Sequence, residues 1–177
     1  AYANWSNITV IVDETSYVNA NSIENGTAYR TYVGGVVGFC GEGGHTFSNI
    51  YSNIDVKGST IDVGGIVGIA HYGNNFVNCV CEGDVEIYNA SEEADAQEIG
   101  GLAGVWNNTN GTKVTFTNCQ FTGELKVNNG FVFNTNKFGN FVCAAYDGVG
   151  TGVLVIDGNA YTLVDGKVVV NGCTSVS

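Results

Sequence analysis

Acidic side chains outnumber every other chemically capable type in this chain, 17 against six lysines and arginines, six cysteines and two histidines. Three of them recur at one place in a repeated pattern. Asp55, Asp84 and Glu124 each stand eight residues after an aromatic residue (Phe47, Phe76, Phe116), and Asp13 is expected at the corresponding place after Trp5. Stacked one unit apart, such a row gathers oxygen donors, the ligands a hard cation such as calcium takes. The same row repels itself unless it is neutralised. Lys57, Glu86 and Lys126 form the adjoining row two residues on, and the two lysines can balance the acids as a surface charge network of small individual pairs. That compensation favours a solvated face over a calcium site, and the GGxGxDxUx repeat of calcium-binding β-rolls is absent.

Other chemistry has thinner support. The cysteines are Cys40, Cys79, Cys81, Cys119, Cys143 and Cys173. None falls in a CxxC pair, which argues against zinc. Their even number admits disulfides. However, Cys79 and Cys119 take the place that Ile50 holds in the first repeat, and Cys81 that of Phe121. Cysteine here behaves as a small buried hydrophobe, and mostly free thiols are expected, with Cys143 and Cys173 left open as a pair. His45 and His71 follow successive glycine blocks and are expected at surface bends. No serine or cysteine has the context of a catalytic triad. Aspartates one unit apart could in principle supply a glycosidase's acid–base pair, but Arg30 and five scattered lysines are thin material for a lyase base or an anionic subsite. The expectation is a protein with no catalytic residue and, calcium apart, no cofactor.

These residues are positioned by a repeat. VGGVVG begins at Val33, VGGIVG at Val63 and IGGLAG at Ile99, with a worn copy, FGNFVC, at Phe138. FSNI, FVNC and FTNC follow the first three, beginning at Phe47, Phe76 and Phe116. Two motifs recurring in the same order mean one structural unit used several times, and such a unit cannot bury its apolar face alone. After each aromatic residue, apolar and polar positions alternate through Val56, Val85 and Leu125, the pattern of a strand with one buried face. Asn49, Asn78 and Asn118 would then stack as a ladder of amides bonded to one another or to turn backbone, a ligand-binding row being the alternative. In the glycine block, Val33 and Val36, Val63 and Ile66, and Ile99 and Leu102 are three apart, a spacing that alternation sends to opposite faces. A bend or bulge at Gly34-Gly35, Gly64-Gly65 and Gly100-Gly101 lets both point inward. Gly38, Gly68 and Gly104 leave room for close backbone approach. Stacked units of this kind make a parallel β-solenoid; a β-sandwich is the alternative, and it leaves the identity between repeats unexplained.

Composition agrees with an all-β chain. Apolar residues make up 44%, charged residues only 13%, and Val, Ile, Thr, Tyr and Phe dominate the patterned stretches. The net charge of −11 repels phosphate backbones and anionic membrane surfaces, so no nucleic-acid partner is expected. Apolar runs such as 33–40 are too short to span a bilayer, and no membrane insertion is expected. The chain opens at Ala1 with no signal peptide in view, which fits a processed or excised piece of a larger protein. Six N-x-S/T sequons matter only in a secretory eukaryotic host.

The order GG-[LIV]-[VA]-G, then [FIV]-x-N-[CS] and a glycine-containing strand, resembles the GLUG repeat, IGGLAG with FTNCQFTGELKV being the best copy. That repeat occurs in bacterial surface and secreted proteins, including adhesin-like proteins and non-catalytic regions of immunoglobulin A-cleaving metallopeptidases. The resemblance covers about 33–127 well and 138–145 weakly. It implies a right-handed parallel β-helix outside the cell and brings no catalytic residues; HExxH is absent here, so the peptidase activity of some relatives is not implied.

The plan expected is one domain over 1–177, with repeats at about 5–32, 33–62, 63–98 and 99–137, a degenerate copy at 138–152 and a C-terminal cap at 153–177. Asp157-Gly158 and Asp165-Gly166 are turn pairs between apolar strands of that cap. The insertions at 91–98 (acidic), 107–112 and 128–137 map to loops, where binding often resides; Phe131 and Phe133 are expected to cover the open core. The function expected is an extracellular or cell-surface module that binds glycan or a host or matrix protein. A structural spacer in a larger surface protein is the alternative, and a polysaccharide-processing enzyme comes third.

Overall fold

The computed structural model describes residues 3–20, 23–24, 27–28, 32–41, 43–59, 62–71, 73–88, 98–107, 113–127, 138–139, 142–143, 153–156, 159–161, 163–164 and 167–168. Every regular element among them is a β-strand. Most of the described strands fall into four sheets whose pairing from repeat to repeat is parallel. In the first, Thr46–Ser52 pairs with Asn4–Val10 on one side and with Asn75–Val77 and Val80–Cys81 on the other. Lys113–Thr117, Gln120–Phe121 and then Val153–Ile156 continue it. The second sheet orders Tyr17–Ala20, Asp55–Gly58, Val85–Ile87 and Leu125–Val127. The third takes the start of each glycine block, Tyr32–Gly34, Asp62–Gly64, Glu98–Gly100 and Phe138–Gly139. The fourth takes its end, Val37–Cys40, Val67–His71, Ala103–Asn107 and Val142–Cys143. Antiparallel pairing among the described residues is confined to three local hairpins, two of them bracketing Asp157-Gly158 and Asp165-Gly166.

The register matches repeat to repeat: Trp5 to Phe47 to Phe76 to Phe116, Val56 to Val85 to Leu125, and Val33 to Val63 to Ile99. Equivalent residues are therefore one strand spacing apart, about 4.8 Å. Aromatic rings are held nearly parallel by that spacing. The centroids of Phe47 and Phe76 lie 4.8 Å apart, those of Phe76 and Phe116 4.7 Å, and Trp5 sits 6.3 Å from Phe47. The first and fourth sheets enclose this stack with Ile50, Ile66, Leu102 and Val114; the second and third enclose Val33, Val56, Val63, Val85, Ile87 and Ile99. Phe121 packs against both clusters.

The glycine block turns the chain from the third sheet into the fourth. Consecutive amides converge on one carbonyl of the next repeat: Val36 N and Val37 N both donate to Ile66 O (3.0 and 3.0 Å), and Ile66 N and Val67 N to Leu102 O (2.9 and 3.0 Å). Two adjacent N–H groups pointing the same way break the alternation, so Val63 and Ile66, three apart, are both fully buried. The glycines serve close approach. A Cβ on Gly34 or Gly64 would overlap backbone of its own turn and of the next repeat, one on Gly68 or Gly104 backbone of the preceding repeat, and one on Gly65 would strike Cys81 Sγ. Gly83 and Gly123 carry the same constraint against the preceding repeat.

Left-handed backbone is taken by asparagine instead. Asn7, Asn49, Asn78 and Asn118 have φ of 56°, 52°, 52° and 50°, and Gly44 is the one glycine with positive φ among the described residues. Asparagine tolerates that region better than other side-chain-bearing residues. The four amides form an exposed ladder: Asn49 Nδ2 donates to Asn7 Oδ1 (3.1 Å), Asn78 to Asn49 (3.0 Å) and Asn118 to Asn78 (2.9 Å). Asn78→Ala loses two rungs and places a Cβ without local compensation in the left-handed region, a cost of about 1–2 kcal/mol. Asn78→Gly loses the rungs alone and is the milder change. Denaturant midpoints in the order wild type, Asn78→Gly, Asn78→Ala are the expected result.

Candidate functional site

Carboxylates converge where the N-terminal turn meets the second sheet. Asp13 Oδ1 accepts from Thr15 N (3.2 Å), Thr15 Oγ1 (2.9 Å) and Ser16 Oγ (2.7 Å), and these bonds hold its pKa below 3.8. Asn53 clamps the turn from the next repeat: its Oδ1 accepts from Val12 N (2.9 Å) and its Nδ2 donates to Val12 O (3.2 Å). Val12, Asp13, Ser16 and Asn53, together with Glu14, Asp55, Glu82 and Asp84, line an open cleft of about 310 Å³. Glu82 Oε2 accepts from Tyr51 Oη (2.6 Å), which raises the tyrosine's pKa.

Asp55, Asp84 and Glu124 are axial neighbours, and two of them act on backbone. Asp55 Oδ1 accepts from Asp84 N (2.9 Å), and Asp84 Oδ1 from Glu124 N (2.8 Å). Each aspartate thus caps the following repeat. Lys126 bonds Asp84 and lies 3.7 Å from Glu124, and Lys57 lies 3.3 Å from Glu86 and over the Tyr17 ring. Glu124 does not line the cleft. Among the described residues no three His, Cys, Asp or Glu side chains converge as a metal cage. With the row engaged by N–H groups and lysine, added calcium or a chelator is expected to leave the melting temperature unchanged; a shift of several degrees would favour the calcium reading.

Burial pulls the Asp84 pKa up, but the hydrogen bonds from Lys126 and Glu124 N and the charges of Lys126 and Lys57 leave it below 3.8. The hydrogen bond to Asp84 raises Lys126. The depressed carboxyl contributes stability above its unfolded pKa, lost as pH falls through the folded one. The raised lysine contributes below its unfolded pKa of about 10.4, lost as pH rises through the folded one. Thermal melts of Lys126→Ala across pH should therefore fall below wild type by a constant amount near neutrality, with the gap closing at both extremes. Both groups face solvent, and screening keeps the gap under ~1 kcal/mol.

Several positions depart from the sequence expectation. Tyr17, not Asp13, lies opposite Asp55, because the turn at 13–16 adds residues to the first repeat. His45 is buried rather than at the surface: its Nδ1 accepts from Ala3 N (2.9 Å) and its own N–H donates to Asn74 Oδ1 (3.1 Å). Backbone N–H groups left over at the corner needed these partners. Cys40, Cys79, Cys81 and Cys119 are free thiols, the last only partly buried. Burial pushes Cys40 up to about 11 and Cys81 up to about 12. The clamp of Asn53 on Val12 had no motif to mark it. The insertions around 91–97, 108–112 and 128–137, the side chains of His71, Phe138, Phe141 and Cys143, and Cys173 lie outside the described residues.

No protein-family profile, curated protein or solved structure matches the chain.

Proposed function

We propose that this chain is a non-catalytic, extracellular repeat module of the GLUG type, a right-handed parallel β-solenoid of about four coils closed by the C-terminal strands. Its outer face binds a glycan or a host or matrix protein. The observation that supports this best is the cleft, which five carboxylates line on a frame fixed by in-register pairing and by the clamp of Asn53 on Val12. A carboxylate has two oxygens and about four acceptor sites, so side chains already bonded to the backbone still accept from sugar hydroxyls. With a net charge of −11, the ligand class that fits is neutral and rich in hydroxyl groups, not a polyanion.

Binding of the isolated chain to neutral, sialylated and sulfated glycans, mucins and matrix proteins tests the reading. Saturable binding to a neutral hydroxyl-rich ligand is expected, weakened about tenfold by Glu82→Gln at the cleft rim. No saturable binding anywhere in the panel would overturn it. The reading would then pass to a spacer that carries another domain outward, a role favoured by ladders running unbroken from repeat to repeat.

A further inference from the structure

We propose that Cys79 and Cys119 form an oxidisable pair that closes a disulfide between adjacent repeats when a small-molecule disulfide is supplied. The two residues occupy the same place in successive repeats. Pairing on either side, Val77 with Thr117 and Val80 with Gln120, puts their backbones next to each other. Asn78 N to Thr117 O and Gln120 N to Cys79 O, both 2.9 Å, pin that register. A strand spacing of about 4.8 Å falls inside the Cα separation that a disulfide bridges. Cys79 belongs to the buried aromatic cluster and Cys119 packs against the same cluster, so both side chains turn to one side of the sheet. The neighbouring Cys81 does not offer this, since it faces Ser52 on one side and Phe121 on the other.

The sequence of steps follows from exposure. Cys79 is fully buried and Cys119 only partly, so a disulfide RS–SR reaches the sulfur of Cys119. The Cys119 thiolate attacks one sulfur, the RS–SR bond breaks, and RS⁻ leaves to take a proton as RSH. The Cys79 thiolate then attacks the Cys119 sulfur of the mixed disulfide, expelling the second RSH. Two protein thiols are oxidised by two electrons, and RS–SR is reduced to two RSH. The neighbouring Cys79 and burial raise the Cys119 pKa while that of Cys79 is lowered, so the first attack speeds up as the pH rises. The bridge would tie two repeats across a loop of about 40 residues and act chiefly by constraining the unfolded chain.

The test uses the whole chain in buffers of oxidised and reduced glutathione, with alkylation of remaining thiols and peptide mapping without reduction. The expected product is a Cys79–Cys119 cross-linked peptide, the loss of those two thiols, and a melting temperature higher by about 5–10 °C. Cys79→Val, which restores a hydrophobe where the first repeat has Ile50, should fold and show neither the cross-link nor the rise. Cys119→Ser is the second control. Alkylation of both cysteines after oxidation, a mixed disulfide stalled on Cys119, or a bridge from either to another cysteine would overturn the proposal.

Discussion

Replacing Leu102 by aspartate unfolds the protein at neutral pH. The side chain is fully buried within the aromatic cluster, and the backbone carbonyl of the same residue accepts from Ile66 N and Val67 N. Shortening the residue to alanine would cost about 2–5 kcal/mol through lost contacts and a cavity. Aspartate adds an unpaired carboxyl, which must ionise in an apolar site or stay protonated well above its usual pKa, several kcal/mol either way. Domains of this size hold about 5–15 kcal/mol in total. Far-ultraviolet circular dichroism and size exclusion should report an unfolded or aggregated chain, with Leu102→Ala folded but clearly weakened. A Leu102→Asp protein as stable as wild type would mean that the residue after Gly100-Gly101 does not point inward.

Gly64→Ala is the second large effect, and its cause is steric. A methyl group there would overlap Val67 O, Gly104 N and the Ala103 carbonyl carbon, all backbone, on its own repeat and on the next. No side chain can move aside; relief means parting the third sheet from the fourth. The expected loss is about 3 kcal/mol or more, at the upper end for overpacking. Gly41→Ala supplies the contrast. Its Cβ would meet only the ring of Phe39, which is half exposed and can rotate away, so the change should stay within about 1 kcal/mol. Equal midpoints for the two variants would contradict the close approach of the third and fourth sheets.

The difference between Gly64 and Asn78 marks what a sequence of this kind discloses. Residues that recur because they stack on their own copies are legible. Phe47, Phe76 and Phe116 keep one place in the repeat because each ring lies on the next, and Val63 and Ile66 keep theirs because both are buried. The reason behind a recurring polar residue is harder to read. The asparagine row serves the left-handed backbone as much as the ladder, while glycines, the usual occupants of that region, are held by lack of space. Features that occur once leave no periodic trace. The turn held by Asp13 shifts the first repeat so that Tyr17 meets Asp55, and the cleft exists because Asn53 reaches across to Val12. His45 has no counterpart in kind at the same place in the next repeats, where Asn74 and Val114 stand, so its burial followed from the backbone amides around it and not from a pattern.

Register between repeats underlies the cleft, the ladders and the proposed disulfide alike, and nuclear Overhauser effects measure it directly. In-register stacking gives strong cross-peaks between the ring protons of Phe47 and Phe76 and of Phe76 and Phe116, none between Phe47 and Phe116, and contacts from the Asn78 side-chain amide to Asn49. Cross-peaks linking each phenylalanine to a residue of a different repeat position, or rings with no aromatic neighbour, would contradict it.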